Sequence, residues 1–224
     1  MKARETNALT IPVGRVRLNG DLTIPANAQG VVLFAHGSGS SRLSPRNRYV
    51  AGMLQESGMA TLLFDLLTPD EEKEDYFTGH LRFDIGLLAE RLGMITRWFR
   101  EENQQRDCEL GYFGASTGAA AALISAAELE DHIQAVVSRG GRPDLAGDAL
   151  ARVKASTLFI VGSEDHVVIE LNKQAYNELR CEKELKIIPG ATHLFEERGA
   201  LEQVARLASD WFLNHFHALP QKTP

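Results

Sequence analysis

The sequence predicts an α/β protein: a doubly wound, mostly parallel sheet with helices on both faces and no large lid. Three observations carry this. Short apolar runs of strand length alternate with longer segments of helical periodicity. One such run, Leu110, Tyr112 and Phe113, passes through Gly114-Ala115-Ser116-Thr117-Gly118 into a helix of small residues. Two later runs end in turns that carry an acid, Asp165, and a histidine, His193.

The elements follow in order. Residues 13–18 and 22–24 bracket Asn19-Gly20, a pair that accepts the positive φ of a tight turn, and suggest an opening hairpin. Residues 31–35 form a continuous apolar run suited to a central parallel strand. Ser44-Pro45 starts a helix, because serine caps and proline fits the first helical position, with Tyr49, Val50, Met53 and Leu54 as its apolar face. A strand follows at 60–67. Helices are expected at 83–100, 117–129, 169–180 and 198–217, and strands at 109–113, 135–138, 157–161 and 185–188. The alternation gives one domain spanning residues 1–224, with 219–224 as a frayed tail.

The strand-turn-helix context of Ser116 places its hydroxyl on a tight turn at the top of a sheet, and glycines two residues either side remove side chains that would collide there. A serine hydroxyl needs an oriented base, itself held by an acid. His193, in the turn Pro189-Gly190-Ala191-Thr192-His193, is the expected base, and Asp165, in Gly162-Ser163-Glu164-Asp165-His166, the expected acid. Glu164 and Asp65 remain alternative acids, and His166 is read as a rim residue. Upstream, His36-Gly37-Ser38-Gly39-Ser40 follows the 31–35 strand, and its small residues leave backbone N–H groups accessible. Ser38 and Thr117 are therefore the expected oxyanion donors.

On these segments, HGSGSS, GASTG, GSEDHVV and GATHLF, the chain resembles the α/β-hydrolase superfamily and, at this size, its dienelactone hydrolase-like branch, over roughly residues 10–217. The resemblance implies an α/β-hydrolase fold in which a histidine at the position of His36 supports the oxyanion loop. Dienelactone hydrolases proper use a cysteine nucleophile where this chain has Ser116, so the likeness implies a serine esterase rather than a particular substrate. The expected chemistry is two-step acyl transfer on a small carboxylic ester, without metal or organic cofactor. Thioesterase, acyltransferase or perhydrolase chemistry on the same residues stays open, as does a slow ligand receptor.

Composition sets further bounds. Hydrophobic residues make up 44% of the 224, enough for one large core, and a net charge of -6 argues against a general nucleic-acid or anionic-membrane partner. The expected partner is a small-molecule ester, with no nucleic acid and no membrane; a homodimer stays open. Cys108 and Cys181 lack metal-ligand spacing and read as two reduced thiols. No apolar stretch has signal-peptide or membrane-span length, which makes a cytoplasmic location the expectation. The acidic stretch 68–78 reads as a loop, mostly solvated, that can wall the mouth with Tyr76 and Phe77. Two arginine clusters, Arg42, Arg46 and Arg48, and Arg139 with Arg142, fall at carboxyl strand ends. Arg139, Arg42, Arg46 and Tyr76 are the candidate substrate contacts, Arg139 foremost, for a substrate bearing an anionic group. The competing reading pairs these arginines with acids such as Asp65, Asp70 or Asp144.

Overall fold

The computed structural model describes residues 6–26, 28–102 and 108–216; the expected tail at 219–224 lies outside them. Its eight strands form one sheet in the order β1-β2-β4-β3-β5-β6-β7-β8. They are β1 (Thr6–Val13), β2 (Val16–Thr23), β3 (Gly30–Ala35), β4 (Ala60–Phe64), β5 (Glu109–Ala115), β6 (Ala135–Arg139), β7 (Ser156–Gly162) and β8 (Lys183–Ile188). β1 and β2 pair antiparallel, β2 meets β4 antiparallel, and every pairing from β4 to β8 is parallel.

Burial on both faces explains the apolar character of the central strands. Successive side chains of β3 go to opposite sides: Val31, Leu33 and Ala35 enter one core, Val32 and Phe34 the other. On the first face lie α3 (Ile85–Glu102) and α4 (Thr117–Leu129), through Leu88, Leu92, Ile95, Phe99 and the alanines of α4, with α5 (His166–Glu178) adding Ala175. On the second lie α1 (Pro45–Glu56) and α6 (Ala200–His215), through Val50, Leu54, Val204 and Phe212. The doubly wound architecture expected from the sequence is therefore present. The helix expected at 117–129 has those bounds, and Ser44 caps α1, its side chain accepting from Asn47 N.

Two expectations are corrected. The hairpin turns at Gly14 (φ +57°), between β1 and β2, while Asn19-Gly20 lies inside β2. Gly20 is needed there for closeness: a Cβ on it would stand 2.8 Å from Ile11 Cδ1. The acidic stretch is a helix, α2 (Pro69–Thr78), because Thr68 and Glu71 cap its first turn reciprocally, Pro69 occupies its first position, and Asp70, Glu71 and Glu72 suit its positive end. Among the described residues no helix is long and apolar enough to cross a membrane.

Candidate active site

Ser116 stands between β5 and α4 with φ 50° and ψ -122°, a backbone state that costs a non-glycine residue on the order of 1–3 kcal/mol. Close packing holds it there. A Cβ on Gly114 would be 2.5 Å from Ala119 Cα, and one on Gly118 would be 2.2 Å from Ala35 O, so glycine at both positions lets α4 press onto β5 and β3. The neighbouring strand joins in, since Ser116 N donates to Arg139 O (3.3 Å) and Arg142 N to Ser116 O (3.0 Å).

Asp165 and His193 come from the two turns that follow β7 and β8. Asp165 occupies the N-cap position of α5, yet its side chain does not cap the helix. Its Oδ2 is 2.6 Å from His193 Nδ1. The two turns are tied to each other: Glu164 N donates to Ala191 O (3.0 Å), Ser163 N to Ile188 O (2.9 Å) and Gly190 N to Ser163 Oγ (2.8 Å). Phe195 is fully buried at φ 57°, which anchors the far side of the histidine loop. Gly140 packs under that loop so tightly that a Cβ would be 3.1 Å from His193 O. The Asp165–His193 pair and the Ser116 elbow thus converge at the carboxyl end of the sheet. No hydrogen bond joins Ser116 Oγ to His193 among the described residues, and such contacts often tighten only when substrate is bound. The Asp165–His193 bond leaves the imidazole Nε2 as the atom free to face a nucleophile. Glu164 instead accepts from its neighbour Ser163 Oγ (2.8 Å), and Asp65 is engaged by Arg42.

The upstream loop is pinned by His36. Leu66 N donates to His36 Nε2 (3.0 Å), which makes Nε2 an acceptor and leaves Nδ1 as the protonated nitrogen that donates to Gly37 O (3.0 Å). Burial lowers the His36 pKa and favours this neutral form. The loop lies against the elbow, since a Cβ on Gly37 would be 2.9 Å from Ser116 Cβ. The expected oxyanion donors differ from one another. Thr117 N heads α4, where a helix offers it no internal acceptor. Ser38 N is not presented freely, because it donates to Thr117 Oγ1 at 2.9 Å.

Beside this loop is a cavity of about 610 Å³, lined by His36, Ser38, Ser40, Arg46, Glu72 and Tyr76 among others. Ser116, Asp165 and His193 are not on its wall; the glycine-serine loop lies between. Tyr76 is exposed and stands edge-to-face with Phe77 at 5.2 Å. Burial, then the charge of Asp65, raises the Glu72 pKa. The arginine clusters separate. Arg42 is ion-paired, for its Nη1 donates to Asp65 Oδ2 (2.5 Å) and its Nε lies 3.6 Å from Asp21 Oδ2. Arg142 is likewise forked onto Asp144. Arg46 reaches Glu196 (3.0 Å) at the surface while lining the cavity. Arg139 is buried at the end of β6 without an ion pair among the described residues.

A model of the dienelactone hydrolase family matches residues 18–219 of this sequence. The chain belongs to the dienelactone hydrolase family. This family member is similar to a solved dienelactone hydrolase from Anabaena variabilis, with 58% identity and a TM-score of 0.93 over 96% of this chain and 99% of that one. It resembles Est1E from Butyrivibrio proteoclasticus at 17% identity and a TM-score of 0.76, over 93% of this chain and 98% of that one, a likeness of fold. It is also 55% identical, over 92% of its own length, to a Mycobacterium tuberculosis protein named "Putative phosphoribosyl transferase". It spans about half of that relative, 45% of its length. Family and fold together give this chain the α/β-hydrolase fold.

Proposed function

We propose that this hydrolase is a serine esterase that cleaves small carboxylic esters through an acyl-enzyme on Ser116. The observation that carries the reading is the Asp165–His193 bond of 2.6 Å, formed by two turns that converge on a strained serine elbow. Asp165 fixes the imidazole tautomer with Nδ1 protonated, so that Nε2 is the basic atom. In the first step Nε2 takes the proton of Ser116 Oγ as that oxygen attacks the ester carbonyl. The oxyanion that forms is met by Thr117 N, and by Ser38 N once the incoming oxygen displaces Thr117 Oγ1 from it. The imidazolium then protonates the departing alcohol. Water enters by the same base, and the acid leaves.

The transferase name belongs to a relative of which this chain covers 45%, and the esterase reading rests on the segment the two share. The test is turnover of p-nitrophenyl acetate by the purified protein and by Ser116→Ala. The wild type should give a burst followed by steady hydrolysis, and Ser116→Ala, still folded by circular dichroism, should give neither. Steady turnover by the folded variant would refute the assignment.

A further inference from the structure

The buried residues of α5 are Val168, Asn172 and Ala175, spaced as the stripe by which a helix packs. The middle residue breaks the apolar pattern. Asn172 is fully buried, and its Oδ1 has no hydrogen-bond partner among the described residues. An apolar side chain would pack there with no orphan oxygen of its own. Asparagine brings a donor instead: Nδ2 donates to Val168 O one turn back (2.7 Å) and, across the fold, to Gly141 O (3.0 Å).

Gly141 belongs to a segment, residues 139–142, that meets both the serine and the histidine. Arg139 O accepts from Ser116 N (3.3 Å) and Arg142 N donates to Ser116 O (3.0 Å), so the segment brackets the serine. Gly140 lies under the histidine, where a Cβ would be 3.1 Å from His193 O and 3.5 Å from His193 Nδ1, the atom that bonds Asp165. Gly141 is wedged against the elbow helix, since a Cβ there would be 2.6 Å from Ala119 Cβ. Asp165 is reached through Asn172. It is the N-cap of α5, and Asn172 follows it by about two turns, which returns to the same face of the helix. Among the described residues no other hydrogen bond joins α5 to residues 139–142. The bonds at the start of the helix run elsewhere, from Asp165 N to Gly162 O and from Glu164 N to Ala191 O.

We propose that Asn172 is a positioning residue: its amide holds α5, and with it the Asp165 carboxylate, in register with the segment that seats Ser116 and His193. This rests on the esterase reading of Ser116 and adds the side chain that keeps its acid and its elbow in one frame. Asn172 touches no reacting atom and acts through Gly141. A helix released at this point can slide or turn on its neighbours, and a short hydrogen bond such as Asp165–His193 weakens steeply with angle. Displacement by a fraction of an ångström near reacting atoms costs much more in rate than in stability.

The test compares Asn172→Ala and Asn172→Leu with Thr96→Val, which breaks a buried bond of the core, Thr96 Oγ1 to Tyr112 OH (2.6 Å), and alters neither α5 nor residues 139–142. On p-nitrophenyl acetate, kcat should fall about 10- to 100-fold in both Asn172 variants while KM changes less than about twofold. Thr96→Val should keep its kcat even where its melting temperature falls as far. In protein carrying isotopically labelled histidine, the low-field Nδ1 proton of His193, assigned by its loss in His193→Ala, should move upfield or broaden in both Asn172 variants and stay in place in Thr96→Val. Wild-type kcat with an unmoved proton, a kcat loss matched by Thr96→Val at the same melting temperature, or failure of both Asn172 variants to fold would make Asn172 structural and overturn the proposal. If the esterase reading alone fails, the wild type turns over no ester, yet the His193 proton still depends on Asn172.

Discussion

On the elbow side of the mouth, α4 sits so near β3 that one added methyl at Gly118 would overlap the Ala35 carbonyl, and backbone bonds link Ser116 to β6. On the α2 side the joints are charged. Asp75 is buried and grips Arg82 (2.5 Å) and the Leu81 N–H (2.6 Å), while Glu71 forks with Arg91 (2.6 Å and 2.8 Å) and Arg42 ties the loop to Asp65. The contrast is between a side held by close packing and a side held by ion pairs. Packing is short-ranged and indifferent to salt, whereas ion pairs weaken with acid and ionic strength. The elbow side therefore suits the proposed nucleophile, and the α2 side is the one that acid and salt should loosen first.

The largest expected effect lies on the packed side and needs no change of shape. Asp165→Asn keeps the geometry but supports the wrong imidazole tautomer, so kcat should fall about 10⁴-fold while the melting temperature moves little. Near-normal activity in that variant, with Asp65→Asn inactive, would shift the acid to the α2 side and undo the contrast. Next comes Gly118→Ala, which forces a methyl against backbone and should cost about 3 kcal/mol of stability by urea unfolding. An unchanged midpoint would mean that α4 is less tightly seated than the structure shows.

A smaller and more local effect is expected from acid. Burial raises the Asp75 pKa, but the Arg82 side chain and the Leu81 and Arg82 N–H groups outweigh it and hold the carboxyl below its ordinary value. The Glu71 carboxyl is also lowered, first by its bond with Arg91. A lowered carboxyl contributes stability above the unfolded pKa and loses it as pH falls through the folded one. Both groups should thus support α2 fully above pH 4.5, the ordinary value for Glu71, and release it progressively below. Limited proteolysis across that range should cut near α2 before it cuts near Ser116, and Asp75→Asn should bring early cutting to neutral pH. Equal protection of both regions at every pH would mean that the ion pairs are not what holds α2.

The same contrast explains what the sequence made legible. The elbow side is written locally: the glycines of GASTG, the alanines after it and the small residues of HGSGSS all state a close approach, and the strands around them are apolar on both faces. The charged side is written in distant pairs. The competing reading that paired the arginine clusters with acids named Asp65 and Asp144, and Arg42 with Asp65 and Arg142 with Asp144 are pairs that form, whereas nothing beside Arg91 points to Glu71, 20 residues away. The α2 helix did carry a local signal, Thr68-Pro69 followed by Glu71, which the acidic composition hid. Asn19-Gly20 misled in the opposite way, because a turn-prone pair was absorbed by strand pairing with β1. The Ser38–Thr117 bond depends on two loops 79 residues apart and had no trace in either segment.

The central claim is that Ser116 is a nucleophile activated by His193. The most direct measurement is covalent labelling by a fluorophosphonate, read by intact mass and peptide mapping, on the wild type, Ser116→Ala and His193→Ala. The account predicts one adduct per chain, on the peptide containing Ser116, absent in Ser116→Ala and formed far more slowly in His193→Ala. An adduct elsewhere, or labelling at an unchanged rate without His193, would contradict it.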